Sequence, residues 1–496
     1  MTTDSSRPDE ETPLLQGKKK PTPLPWFQFS IVLFLQLAEP LTSQVIYPFT
    51  PQLIRDIGIT NGNESQVGYY VGIMQSVFFL TQAFTVLHWS RLSDSIGRKP
   101  VILTGLFGLA ISMYCFGLST TFWGLVLSRS LNGALNGNIG VIKSMVAEMT
   151  DSTNISKAYA YMPISWSTGS TLGPIIGGVL ARPADRFPAV FGNNEFMKKY
   201  PYFLPCSIPA TFTFFAWIIT FFFLKETLAD PQSFSEFLGF RKSKAEAVEN
   251  PSITITSTED EPLERTKSRH PDDDVPNIDK PLPLRLLLTP EVVIAAANYA
   301  SLSLVDIAFR AVHPLFLSTP IELGGLGLPP PTIGKILSFF GVMNGMFQVF
   351  FFAKIHDRWG SKRVFLAGVV SAIPAFILFP IINMLARSQG YSLAVWAAVL
   401  TQVTVAIALS SSYGAIFIFI AAASPNRASL GATNGLSQMM VSFTRAIGPA
   451  MANSLFSFSM EKGYLGGYLV YLILLFVTSL SVYIGWLLPR HIQPRF

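Results

Sequence analysis

Among the ionisable side chains inside long apolar runs of this chain, six could do chemistry: Glu39, Arg129, Lys143, Asp306, Arg310 and Arg445. A charge at the centre of a membrane helix costs roughly 2.5–3.5 kcal/mol on insertion scales, so each needs a partner or a wet cavity. Glu39, followed by Pro40, is the first candidate for carrying a proton or a cation. A carboxyl largely withdrawn from water can change its protonation in step with conformation. Arg129, in Leu127-Ser128-Arg129-Ser130-Leu131-Asn132-Gly133, needs a partner or a wet cavity, unless it snorkels to an interface about two helical turns away. Asp306 and Arg310 are one helical turn apart and could neutralise each other, with His313 and Pro314 following. Asp306 is otherwise a candidate for substrate or proton binding. Lys143, five residues before Glu148, is either a site residue or a marker of the membrane edge.

Other chemistries find no footing. The five histidines are scattered, and Cys115 and Cys206 have the spacing of neither a disulfide framework nor a metal site. No Gly-x-x-x-x-Gly-Lys-Ser/Thr run offers a phosphate cradle, which argues against ATP-driven work. No metal, no cofactor and no enzymatic activity are expected. The net charge of +6 sits in short loops between apolar runs, a membrane-topology pattern rather than a nucleic-acid surface.

The elements that position these residues are membrane helices. Half of the 496 residues are hydrophobic and 13% are charged, against about 25% charged in a soluble domain. Apolar runs of the roughly 20 residues needed to span a bilayer recur near 26–48, 68–89, 100–119, 121–145, 157–180 and 203–224. They resume near 290–316, 333–353, 364–386, 393–421, 429–458 and 466–488. The reading is an all-α membrane protein of twelve transmembrane helices in two six-helix bundles. A tail (1–25) precedes the first bundle (26–224), a polar central loop (225–289) separates it from the second (290–488), and a short tail (489–496) ends the chain. The loop holds Glu259-Asp260-Glu261 and Asp272-Asp273-Asp274 and too few apolar residues to fold alone. Lys and Arg concentrate at the tails, the central loop and the even-to-odd turns, which predicts both termini and that loop to be cytoplasmic. Arg182, Arg186, Lys198 and Lys199 dissent.

Two turns in equivalent places carry the same chemistry. Arg91-Leu92-Ser93-Asp94-Ser95-Ile96-Gly97-Arg98-Lys99 follows the second run, and Lys354-Ile355-His356-Asp357-Arg358-Trp359-Gly360-Ser361-Lys362-Arg363 follows the eighth. In each, an acid able to pair with arginine precedes a glycine that permits a tight turn, then basic residues. This pattern resembles the signature loop of the major facilitator superfamily, although Ser90 stands where that family usually has glycine. The resemblance implies a charge clasp, built from Asp94, Gly97, Arg98, Lys99, Asp357, Arg358, Gly360, Lys362 and Arg363, that holds the halves together in an outward-open state.

The fifth run, with Gly169, Gly173, Pro174, Gly177 and Gly178, resembles the Gly-Pro antiporter motif of drug:proton antiporters, and Arg445-Ala446-Ile447-Gly448-Pro449 echoes it in the eleventh. Glycines at intervals of four put small residues on one helix face. Glu39-Pro40, Gly140-Val141-Ile142-Lys143-Ser144-Met145, Gly324-Gly325-Leu326-Gly327 and Lys225-Glu226-Thr227-Leu228 make the chain similar to the tetracycline antiporters and the zinc-induced-facilitator-like group of fungi and plants. That resemblance implies a monomeric secondary transporter moving a small-molecule substrate by alternating access, with proton antiport as its energy source and Glu39 and Arg129 as the lead coupling residues. A uniporter, a symporter or a non-transporting sensor of the same fold is the alternative. Glu10-Glu11-Thr12-Pro13-Leu14-Leu15 resembles a vacuolar or lysosomal sorting signal, the plasma membrane being the other candidate location. Asn63-Glu64-Ser65 is a glycosylation sequon in an expected outside loop, whereas Asn154-Ile155-Ser156 falls on the expected cytosolic side.

Overall fold

The computed structural model describes residues 22–151, 154–228, 284–425 and 430–489, all helical or in short connections. The sorting-signal run, nearly all of the acidic central loop and the last seven residues lie outside the described residues.

Twelve crossings follow in order. In the first half they are Trp26–Gln36 continued by Ala38–Gln44, then Val67–Ile96, Arg98–Leu118, Phe122–Leu135 continued by Asn138–Glu148, Ile155–Leu180 and Phe203–Phe223. In the second half they are Pro290–Ser318, Pro330–Phe347 extended through a π-helical turn at Gln348–Phe352, Ser361–Gln389, Leu393–Ala423, Leu430–Lys462 and Leu469–Trp486. Among the described residues, seven of these helices are long and apolar enough to cross a bilayer on those grounds alone. The other five have physical reasons to fall short. The first and fourth are interrupted, while the second, fifth and eleventh carry the glycines and polar residues of the inter-helix contacts.

Both interruptions have local causes. Pro40 has no N–H to give the carbonyl of Gln36, and the first crossing breaks at Leu37. The fourth breaks at Asn136-Gly137, a pair that favours turns. The indole of Trp89 donates to the Ala134 carbonyl at 2.7 Å there. A side chain on Gly137 would meet Trp89 at 2.3 Å, so the indole fits only against glycine.

Helix pairing repeats between the halves at an offset of six crossings. The first packs on the fifth as the seventh packs on the eleventh; the second on the fourth as the eighth on the tenth; the third on the sixth as the ninth on the twelfth. Two pairs join the halves, the second with the eleventh and the fifth with the eighth, and the same offset exchanges them.

The buried apolar residues form two clusters. One runs through both halves and joins Val45, Ile46 and Phe49, at the end of the first crossing, to Leu315 and Phe316, at the end of the seventh. The other, including Phe29, Val32, Leu35, Val101 and Met145, belongs to the first half and lies toward the face bearing the two signature turns. The halves therefore share a core on the face opposite the turns and do not share this second core on the turn-bearing face.

Candidate functional site

The charged residues singled out above fall on both halves, and their fields meet across the interface, Glu39 with Arg445 and Tyr47 with Arg129 and Arg310. Glu39 is half-buried just beyond the break in the first crossing. Its carboxyl lies close to the Asn136 amide and within electrostatic reach of Arg445 and Lys143. Asn136 is buried, and neither its amide nitrogen nor its oxygen has a hydrogen-bond partner. Lys143 is exposed, yet it is close enough to Glu39 and Arg445 to feel both. The two helix breaks place these groups, because they free the backbone beside Glu39 and Asn136.

On the opposite wall Asp306 accepts from Arg310 Nε at 2.9 Å on both oxygens and from the Tyr413 hydroxyl at 2.9 Å. The one-turn pair is thus formed and also anchored to the tenth crossing. Arg310 lies over the Phe340 ring at 5.5 Å. Arg445 Nε donates to Ser303 Oγ at 3.2 Å and lies near Tyr413, Tyr299 and Asp306. His313 is buried against Phe309 and Phe379, and its Nε2 has no hydrogen-bond partner.

Arg129 differs from the other arginines. It is 4% exposed, lies 4.5 Å from the Phe78 ring centre, and its Nε and Nη1 have no hydrogen-bond partner. It does not snorkel. Tyr47, on the segment after the first crossing, is within electrostatic reach of Arg129 in its own half and of Arg310, Asp306 and Arg445 in the other.

The signature turns are built alike in backbone. Gly97 has φ 105° and ψ 162°, and Gly360 has φ 76° and ψ 160°, so each ends one helix and starts the next in a region that favours glycine. Their side-chain contacts differ. Arg98 is buried and binds Ser93 Oγ at 2.6 Å and Glu148 Oε1 at 2.9 and 3.1 Å. The Glu226 carboxylate accepts the backbone N–H groups of Arg98 and Lys99 at 2.8 and 2.9 Å, capping the third crossing. In the second half Lys362 Nζ donates to the carbonyls of Trp486 and Leu488, at 2.8 and 2.5 Å, closing the end of the twelfth. Asp357, Arg358 and Arg363 are exposed. The side chain of Asp94 lies outside the described residues. Each described contact of the two turns stays within its own half, and the clasp expected of the outward-open state is not among them.

The glycines of the fifth crossing serve two neighbours. A Cβ on Gly169, Gly173 or Gly177 would strike Pro40, Gln44 or the Val45 carbonyl of the first crossing. One on Gly178 would come within 2.6 Å of the Pro330 carbonyl and 3.0 Å of Gly334 Cα, across the halves. The Pro174 carbonyl lies 2.3 Å from where a Gly334 side chain would begin. Of the echo in the eleventh crossing, the Pro449 carbonyl and Ala450 pack on Gly72.

Sequence reasoning missed Tyr47, Asn136, Tyr413, the cap at Glu226 and a latch on the opposite face. There Arg55 Nη1 donates to Ser318 Oγ at 2.7 Å. Nothing in their local spacing set Tyr47 and Tyr413 apart among 15 tyrosines. Asn136-Gly137 was a readable signal, being a turn pair inside an apolar run.

Residues 32–449 match the model of the Major Facilitator Superfamily. The chain is 28% identical to the "Major facilitator superfamily multidrug transporter mfsB" of Aspergillus fumigatus, over 90% of this chain and 81% of that protein. It is 28% identical to "Protein ZINC INDUCED FACILITATOR 1" of Arabidopsis thaliana, over 93% of this chain and 90% of that one. Its fold is similar to that of a bacterial homologue of the human lysosomal transporter Spinster, at 12% identity and TM-score 0.65, covering 95% and 97% of the two chains.

Proposed function

Because this chain belongs to the major facilitator superfamily, and so is a multi-pass membrane transporter rather than an enzyme, we propose that it is a proton-coupled antiporter that expels or sequesters a small solute. The observation that carries this reading is the asymmetry of the contacts between halves around a charged vestibule. The hydrogen bonds between halves, such as Arg55 to Ser318, Ser76 to Ala450 and Ser338 to Thr171, lie on the face opposite the signature turns or near mid-depth. Lys143 stands exposed toward the turn-bearing face. That is one half of an alternating-access cycle, in which the bundles rock about a central site. With the turns on the cytoplasmic side, as the distribution of Lys and Arg predicts, the vestibule opens inward.

Glu39 is the proton carrier in this reading. Asp306 is already held by Arg310 and Tyr413, whereas Glu39 faces Asn136 across the helix break and has water access. The similarity to a protein named as a multidrug transporter is in keeping with efflux. The monomer is the working unit, in a vacuolar, endolysosomal or plasma membrane.

Proteoliposomes loaded with a panel of fluorescent drugs and organic acids test the proposal. An imposed proton gradient should drive solute movement, with opposite proton flow reported by a trapped pH dye. Solute flux indifferent to the gradient would leave a uniporter, and no flux of any panel member would leave a sensor.

A further inference from the structure

Arg129 is a permanently charged group buried without an anion, and the rest of the vestibule explains where that anion comes from. Guanidinium stays charged at any physiological pH and presents a planar fork of donors suited to carboxylate or phosphate. Burying such a charge unpaired is strongly unfavourable, so a position that keeps one has to find a counter-charge at some stage of its work. The protein does not supply it in this conformation. Among the described residues Arg129 has no hydrogen-bond or ion-pair partner, its Nε and Nη1 are sealed from solvent, and the groups that share its field are the Tyr47 phenol and the Cys206 thiol. Both carboxylates of the vestibule are engaged elsewhere. Asp306 is held by Arg310 and Tyr413, and Glu39 lies with Asn136, Lys143 and Arg445.

The placement is as telling as the vacancy of charge. Arg129 is the eighth residue of a helix that starts at Phe122 on the closed face, about 11 Å along its axis at 1.5 Å per residue. It therefore sits toward the blind end of the vestibule. Tyr47 is within reach of Arg129 on one half and of Arg310 and Arg445 on the other. A negative group beside Tyr47 would touch the fields of both halves at once. Arg129 also lies over Phe78, and Arg310 over Phe340, so a ring covers one face of each guanidinium. Tyr299 and Phe417 add an edge-to-face pair, with ring centres 5.3 Å apart, to the second wall.

We infer that Arg129 is the docking point for a negatively charged group of the transported molecule, and that the substrate class is an organic anion with an aromatic or apolar body. The inference rests on the transporter reading above and names its substrate class. It assigns the unpaired arginine a ligand role and makes Tyr47 a positioning residue between the halves. A cationic drug would instead face the field of Arg129, Arg310, Arg445 and Lys143, with only Glu39 and Asp306 to offset it.

The test uses the full chain in lipid nanodiscs and three probes that share one ring system: 2-naphthoate, 2-naphthamide and 2-naphthylmethylammonium. We expect 2-naphthoate to bind at least tenfold more tightly than the amide, and the ammonium to bind weakest. In Arg129→Gln, carboxylate affinity should fall to that of the amide while amide affinity is unchanged; Arg129→Lys should keep part of the preference, and Tyr47→Phe should reduce it two- to fivefold. Equal binding of the three probes, binding of none, a preference for the ammonium, or a preference that survives Arg129→Gln overturns the inference. If Arg129→Gln does not fold, the wild-type order and Arg129→Lys still decide. Carboxylate binding without flux in proteoliposomes would sink transport and leave the anion site standing. Gradient-driven flux of a solute that 2-naphthoate does not inhibit would sink the anion site and leave transport standing.

Discussion

Arg55 reaches across the two halves to Ser318, 263 residues away in the chain, and holds it with two hydrogen bonds, 2.7 Å to the hydroxyl and 3.0 Å to the backbone carbonyl. Its Nε binds Glu64 at 2.7 Å, so the guanidinium is held in place from its own half. Ser318 is the last residue of the seventh crossing. The latch therefore closes the face opposite the signature turns at the end of a cavity-lining helix.

Removing the latch should favour opening of that face. Hydrogen bonds to a charged group are worth about 1.5–3 kcal/mol, and partial exposure reduces this. We expect Arg55→Ala to raise the labelling rate of a cysteine placed at Leu328, which lines the adjoining cleft, at least threefold with a membrane-impermeant maleimide. An unchanged rate would show that helix packing alone holds the face shut.

The close approach of Gly178 and Gly334 leads to a complementary expectation. Neither position has room for a side chain while the fifth and eighth crossings touch, since the added carbon would lie 2.6 Å or less from a backbone carbonyl. Gly334→Val should keep the protein in the membrane and at normal abundance but lower transport at least tenfold, by holding the halves apart on that face. Labelling at Leu328 should rise as it does in Arg55→Ala. Wild-type transport in Gly334→Val would mean that this contact is not part of the working cycle.

Much of the architecture was legible because membrane helices announce themselves by length and apolarity, and because the Gly97 and Gly360 turns recur in equivalent places. The Asp306–Arg310 pair was legible too, as a matter of one helical turn. What was hidden depends on contacts between distant residues. Lys225-Glu226-Thr227 could be read as a family mark, but the capping of Arg98 and Lys99 by Glu226 joins positions about 130 residues apart. That Arg129 lacks a carboxylate could not be known while Glu39 and Asp306 had no assigned neighbours. The two signature turns suggested a clasp of the outward-open state; that Arg98 also binds Glu148, 50 residues on in its own half, could not be read from spacing.

Glu226 should be measurable as a cap. Its carboxylate satisfies two N–H groups at the start of the third crossing, where the helix dipole favours negative charge. Losing a helix cap costs about 1 kcal/mol, within a range of 0.5–2. Glu226→Ala should lower the unfolding temperature in detergent, with Glu226→Gln falling between it and the parent because one acceptor oxygen remains. A Gln variant as unstable as Ala would show that the negative charge, rather than the hydrogen bonding, is what holds the turn.

Glu39 and Asp306 are both carboxylates in the same vestibule, and their neutral variants should fail in different ways. Asp306 is tied to Arg310 and Tyr413, so Asp306→Asn leaves Arg310 without its counter-charge. Breaking a buried pair by removing one partner costs about 3–5 kcal/mol, and partial water access here lowers that figure. Asp306→Asn should therefore lose thermal stability first. Asp306→Asn combined with Arg310→Gln should recover part of it. Glu39 has no such close ion pair: beside it is the Asn136 amide, which Gln can also face, and only the longer-range fields of Arg445 and Lys143 are lost. Glu39→Gln should unfold within a degree or two of the parent, retain at least a third of solute exchange across the liposome membrane, and lose at least nine-tenths of gradient-driven accumulation. Measuring stability, exchange and accumulation on the same preparations separates the two carboxylates. Intact gradient coupling in Glu39→Gln would remove this residue from proton transfer and move the role to another group in the vestibule.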